Sequence, residues 1–179
     1  MRGYDDASYG DAFADVYDDW YHDISDVEAT TRELVALAAG GRVLELGVGT
    51  GRLALPLVGK VGEVHGLDSS ARMLQQLAAK PGGEGVHSHC GDMVEGMPAG
   101  PFSLVFVAYN TFFALLTAER QQACFTAVAT RLAPGGHFVI EAFVPEAQSD
   151  TTSAVTVRSI TADRVVLSVS TSDAAGQRA

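Results

Sequence analysis

The chain has 179 residues, 47% hydrophobic and 19% charged, which excludes a mainly disordered polymer and allows a sizeable core. Its 12 Lys+Arg against 22 Asp+Glu give a net charge of -10, a field that repels polyphosphate backbones and sets nucleic-acid substrates aside. No membrane-length apolar run and no N-terminal apolar h-region are legible, and Cys90 and Cys124 show no CxxC spacing, so a reduced, cytoplasmic setting without membrane partners is expected.

Between Ser8 and Trp20, residues Phe13, Val16, Tyr17 and Trp20 fall at helical spacing with aspartates between them, which predicts an amphipathic helix over the main body. The acidic run from Asp5 to Glu28 reads as its solvated face. A second helix is expected from Asp26 to Ala39, capped by Ser25 or Asp26 and stopped at Gly40-Gly41.

Strand–helix alternation follows. Strands are expected at residues 42–46, 63–67, 86–89, 102–107 and 137–143, with helices over 51–58, 70–79 and 117–132. The pattern predicts an α/β fold with a doubly wound, Rossmann-like parallel sheet. Beyond Pro145 the β-branched runs at 154–158 and 164–171 suggest an antiparallel hairpin. Three regions result: a helical lid over residues 1–40, a core over 41–145, and a hairpin with polar tail over 146–179.

The main chemical signal is Glu45-Leu-Gly47-Val48-Gly49-Thr-Gly51, which closes the first strand and opens a helix. Glycines let the backbone turn sharply and let a ligand approach without Cβ interference. The spacing is GxGxG; a dinucleotide fingerprint would need glycine where Arg52 stands. Glu45 would attract an ammonium group and repel a pyrophosphate. Asp68 closes the second strand about twenty residues later, where a carboxylate can take both ribose hydroxyls. A ribose, a positive centre and a carboxylate, with no phosphate, describe S-adenosylmethionine.

On these residues the chain resembles the class I S-adenosylmethionine-dependent methyltransferases, in particular a small-molecule branch that includes antibiotic-sugar N-methyltransferases. Residues 43–51 match that family's first motif and 66–73 its second. Gly91-Asp92-Met93 matches the third, and Leu132-Ala-Pro-Gly-Gly136 the turn before the fifth strand. Phe13 to Tyr21 is similar to the family's N-terminal lid. The resemblance implies that Gly47, Val48 and Gly49 pass beneath the methionine part while Glu45 addresses its ammonium. It implies Asp68 on the ribose with Ser69 beside it, Met73 on the adenine, Asp92 and Met93 on the adenine edge, and Tyr109 under the sulfonium. Tyr17 and Tyr21 would close from the lid, or only pack. Asn110 and Thr111 would face the acceptor, with Phe112 and Phe113 lining an acceptor pocket or the core.

Methyl transfer from a sulfonium has a good leaving group already, so the protein's task is alignment and exclusion of water. No catalytic residue is therefore expected to stand out. His87, His89 and Cys90 do not form a metal set, because Cys90 points away from the other two on a strand, so no metal is expected. A small-molecule methyltransferase is the favoured reading. The alternatives are an S-adenosylmethionine-binding protein without catalysis and a nucleotide-cofactor oxidoreductase. The family's two closing strands are not found, so the chain is expected to be a shortened form or to be completed by another copy. A homodimer through the hairpin's valine face is the favoured version.

Overall fold

The computed structural model describes residues 7–21, 25–143 and 152–172. The chain forms two units, residues 1–143 and 144–179. The boundary at Pro145 lies outside the described residues.

The first unit is built on β1 (Val43–Leu46), β2 (Val64–Asp68), β3 (Val86–Cys90), β4 (Phe102–Val107) and β5 (Leu132–Ile140), all parallel, in the order β3-β2-β1-β4-β5. The central β1 is buried along its whole length, as a parallel strand covered on both faces must be. Val43, Val64, Leu104 and Phe106 on one face pack with Leu34, Leu74 and Leu77. On the other, Leu44, Leu46, Val105 and Val107 pack with Phe112, Cys124 and Val128.

The helices are α1 (Ser8–Phe13), α2 (Tyr17–Tyr21), α3 (Val27–Ala38), α4 (Ala54–Leu57), α5 (Ala71–Ala79) and α6 (Ala118–Ala129). Side chains cap three of them as the sequence leads one to expect. Asp26 accepts from the Ala29 N–H, Ser70 from Met73 and Thr117 from Arg120. Ala39 ends α3 in the left-handed region, φ 48°, ahead of Gly40.

The N-terminal segment departs from expectation twice. The helix expected from Ser8 to Trp20 is two helices, because at Val16 the N–H bonds back to the Phe13 carbonyl (3.0 Å), a tighter turn that redirects the chain. This lets α1 follow α5 while α2 crosses toward the C-terminal ends of the strands. The acidic run is also not merely a solvated face. Asp11 accepts from Ser70 Oγ (2.5 Å), Asp15 pairs with Arg72 (2.5 Å), and Asp18 pairs with Lys80 (2.6 Å).

The fifth strand begins at Leu132, not His137. Leu132 pairs with Phe102 and His137 with Leu104, so Pro134, Gly135 and Gly136 bulge out of register, with Gly135 at φ 77°. Residues 141–143 leave the ladder; the Glu141 N–H still reaches the Val107 carbonyl.

In the second unit, β6 (Thr152–Ile160) and β7 (Val165–Ser172) form the expected antiparallel hairpin. Val155 faces Val169, Val157 faces Leu167 and Ile160 faces Val165, all exposed. Thr161 and Arg164 close the turn through backbone and hydroxyl bonds.

Candidate functional site

Strand order reverses between β1, whose next neighbour in sequence lies to one side, and β4, which lies to the other. Loops leaving the C-terminal ends of two such strands diverge and open a crevice. Tyr17, Glu45, Gly47, Val48, Thr50, Arg52, Ala108, Tyr109 and Thr111 line the pocket at that point. The sequence singled out most of these, and the topology brings them together.

The turn after β1 is held tightly. The Gly47 and Val48 N–H groups both bond to the Leu67 carbonyl, at 2.7 and 3.0 Å. Gly47 and Gly49 adopt φ 69° and 55°, where a side chain is strained. A Cβ on Gly47 would stand 2.3 Å from Thr111 Cγ2, whereas one on Gly49 would meet nothing within 4 Å. Gly47 therefore serves close packing against the loop after β4, and Gly49 borders open space.

Glu45 is buried, 4% exposed, and its Oε2 has no hydrogen-bond partner. Burial pushes its pKa up to about 8; Arg52 and the Ala54 N–H act against this, while Asp68 adds to it. A carboxylate left in this condition awaits a positive partner. At the end of β2, Asp68 accepts from the Gly49 N–H and the Ser70 N–H, each 2.8 Å, and so ties the glycine turn to the start of α5. Burial raises its pKa, opposed by those two amides.

The lid meets the floor through aromatic rings. Tyr17 and Tyr21 lie 4.6 Å apart, and Tyr21 stands edge-on to Tyr109 at 5.8 Å. Tyr21 is buried, and its hydroxyl shares a 2.8 Å hydrogen bond with that of Tyr9. Burial, with Tyr21 close by, pushes the Tyr17 phenol up to about 12, so it stays protonated at neutral pH. Thr50, also in the pocket wall, donates from Oγ1 to Asp18 of α2 at 2.6 Å.

After β4, Tyr109 and Asn110 both sit at positive φ, 48° and 64°. Two consecutive non-glycine residues there are costly and persist only where surrounding bonds enforce them. Glu141 Oε2 accepts from the Tyr109 N–H (3.0 Å), the Glu141 carbonyl from Asn110 N–H (3.1 Å), and Asn110 Oδ1 from Phe143 N–H (2.6 Å).

Other expected residues lie elsewhere. Phe112 is 7% exposed and packs in the core, its ring 5.6 Å from Phe125. Phe113 is the exposed member, paired with Phe143 at 5.4 Å. Met73 is buried beneath α1, its Cγ 3.2 Å from where a Cβ on Gly10 would stand. The Ser69 carbonyl faces the Cys90 thiol. Asp92 Oδ1 takes the Val94 and Glu95 amides and Oδ2 takes Arg120. Burial would raise its pKa, but these partners together hold it low. Met93 packs beside the core of that face.

Sequence reasoning missed Arg52, Thr50 and Glu141. In sequence Arg52 stands out only by occupying a third-glycine position, yet its guanidinium lies 6.0 Å from the Tyr109 ring centroid and bonds Ser25 Oγ. An arginine one residue past a GxGxG turn was itself the available signal. Glu141, just beyond a strand end, carried none.

A family model described as "Methyltransferase domain" matches residues 43–136. An uncharacterized methyltransferase of Anoxybacillus flavithermus is 30% identical over 77% of this chain, which spans 61% of that relative's length. The CcbJ methyltransferase of Streptomyces caelestis superposes with a TM-score of 0.85 at 38% identity, over 97% of this chain and 73% of that one. The DhpI–SAM–HEP complex superposes at 0.66 with 27% identity, over 89% and 77%.

Proposed function

Because the chain belongs to the methyltransferase domain family, whose cofactor is S-adenosylmethionine, we propose that it moves a methyl group from that cofactor to an amine or hydroxyl of a small molecule. The observation that carries this reading is Glu45, a buried carboxylate with an unpartnered oxygen beside Arg52. An ammonium would fill that gap and favour the ionised form, and Arg52 would take the carboxylate of the same amino-acid group. Asp68 keeps lone pairs for ribose hydroxyls, and Gly49 leaves the space a ligand needs. The donor set thus fits the cofactor. An adenine bond to Asp92 would have to share Oδ2 with Arg120.

When bound, the cofactor supplies a methyl group on a sulfonium, already joined to a good leaving group. The chain's own residues have the tasks of alignment and dryness. Tyr17 and Tyr21 would cover the crevice from α2, and Tyr109 would form its floor. Tyr17 stays a hydrogen-bond donor rather than a base, given its raised pKa. Asn110, Thr111 and the exposed Phe113–Phe143 pair stand toward the acceptor side. A small acceptor is favoured by the net charge of -10 and because Arg42, Arg72, Lys80 and Arg120 are each committed to carboxylates.

A screen of amines and alcohols with S-adenosylmethionine, reading release of S-adenosylhomocysteine, tests the proposal. Turnover of a small amine or alcohol supports it. Tight cofactor binding without turnover across the panel favours a binding protein instead. Association of two copies over the hairpin's valine face is checked by sedimentation at micromolar concentration, where a monomer rejects it.

A further inference from the structure

A second group of polar side chains lies on the opposite face of the sheet from Glu45 and Asp68. His65 of β2 and His87 of β3 are register partners, so their side chains stand together on the face that carries Leu44. Glu63, two residues before His65, falls on the same face by the period of a strand. Ligand atoms of Glu63, His65 and His87 all lie within 4.8 Å of one another. His65 is the fixed member, its side chain 9% exposed, while Glu63 and His87 are exposed.

We propose that Glu63, His65 and His87 form a site for a divalent transition-metal ion of the zinc type, with solvent completing its coordination. Two imidazoles and a carboxylate are a donor set suited to such ions. A tetrahedral ion with donors at about 2.0–2.2 Å spaces them about 3.3–3.6 Å apart, so Glu63 and His65, 3.2 Å apart, already stand close to that spacing and the exposed His87 has to move in from no more than 4.8 Å.

Two observations point to a cation at this spot. Glu63 Oε2 and His65 Nε2 lie 3.2 Å apart, and Arg42 reaches both: Nε donates to Glu63 (2.8 Å) and Nη2 lies 3.1 Å from His65 Nε2. The lone pairs thus converge on a point that already takes positive charge, and the guanidinium is its stand-in. The other ring nitrogen, His65 Nδ1, is 3.1 Å from His89 Nε2. With Nδ1–H donating to His89, Nε2 presents its lone pair to the site, the arrangement that outer-shell partners impose on metal-bound histidines. Metal entry displaces Arg42, which keeps the Phe102 ring at 4.9 Å as an alternative rest. Since β3 is the last strand on this side of the sheet, the ion would clamp it to β2.

The test uses the full chain, stripped with a chelator and titrated with zinc by calorimetry and by thermal melt. Saturable binding with a raised melting temperature is expected in the wild type. Both should be lost in His87→Ala and Glu63→Gln, two exposed positions whose replacement spares the core. His89→Ala should weaken binding about 10–100-fold. Arg42→Ala should shift the titration to lower zinc, which a merely structural network would not do. S-adenosylhomocysteine binding, unchanged in every variant, reports that the fold is intact. Absent zinc binding, or wild-type zinc affinity in both His87→Ala and Glu63→Gln, overturns the proposal. Loss of binding in Cys90→Ala alone does so too.

Discussion

Replacing Glu45 by glutamine should change how stability depends on pH more than stability itself. Burial raises this carboxyl from an ordinary 4.5 to about 8 in the folded chain. Between those values the native state holds a proton that the unfolded state has lost, so native stability falls as pH rises through the window. Below pH 4.5 both states are protonated and no penalty exists; above pH 8 both are ionised and the penalty is constant. At about 1.36 kcal/mol per pH unit, the interval from pH 5 to 8 costs the wild type about 4 kcal/mol. For a chain of this size that is roughly 8–16 °C in melting temperature. Glu45→Gln carries no titrating proton there, and shifts at groups remote from it cancel in the difference between the two proteins, leaving the coupling to Asp68 as a smaller contribution. Its absolute stability can move either way, since the new amide needs a partner where Oε2 has none.

Melting curves of both proteins from pH 5 to 9, without ligand, measure this directly. Relative to the variant, the wild type should lose stability steadily up to about pH 8, after which the difference should level. S-adenosylhomocysteine, whose ammonium favours the ionised carboxylate, should flatten the wild-type dependence and leave the variant unaffected. Parallel curves for the two proteins across pH 5–8 would refute the assignment of a buried, raised carboxyl at Glu45.

Asp68→Ala should weaken S-adenosylmethionine binding by about 1.5–3 kcal/mol, measured by calorimetry; unchanged affinity in a folded variant removes Asp68 from the site. Gly49→Ala should cost stability only about 1–2 kcal/mol, for left-handed backbone, yet abolish cofactor binding because its methyl fills open space. Gly47→Ala should destabilise more in the melt, since its methyl meets Thr111 at 2.3 Å. Arg72→Ala breaks a half-exposed pair with Asp15, worth at most about 1 kcal/mol. Its signature should instead be faster hydrogen exchange across residues 8–21, and protection equal to wild type would mean that α1 is held by other contacts.

What was legible in the sequence depended on how far apart the cooperating residues lie. The central strands β1 and β4, the glycine turn and Asp68 each announce themselves within a short window, through a mostly apolar run, a left-handed turn, or a polar residue at a strand end. Arg52 lies within such a window too, but its place in the motif says only that it is not glycine, and its place in the pocket wall comes from the fold. Phe112 and Phe113 could not be separated, because a single 3-10 turn over Thr111–Ala114 decides which ring turns inward. The break between α1 and α2 depends on Asp11, Asp15 and Asp18 finding Ser70, Arg72 and Lys80, partners more than fifty residues away. The Glu63–His65–His87 group is the clearest case. In sequence His87 and His89 neighbour Cys90, whereas in the sheet Cys90 pairs with Asp68 in register and His87 pairs with His65. A one-residue change in that register would turn His87 to the other face and dissolve the group. Its existence is therefore a property of the sheet, set by the packing of β2 and β3, and only the three-dimensional pairing could bring it to light.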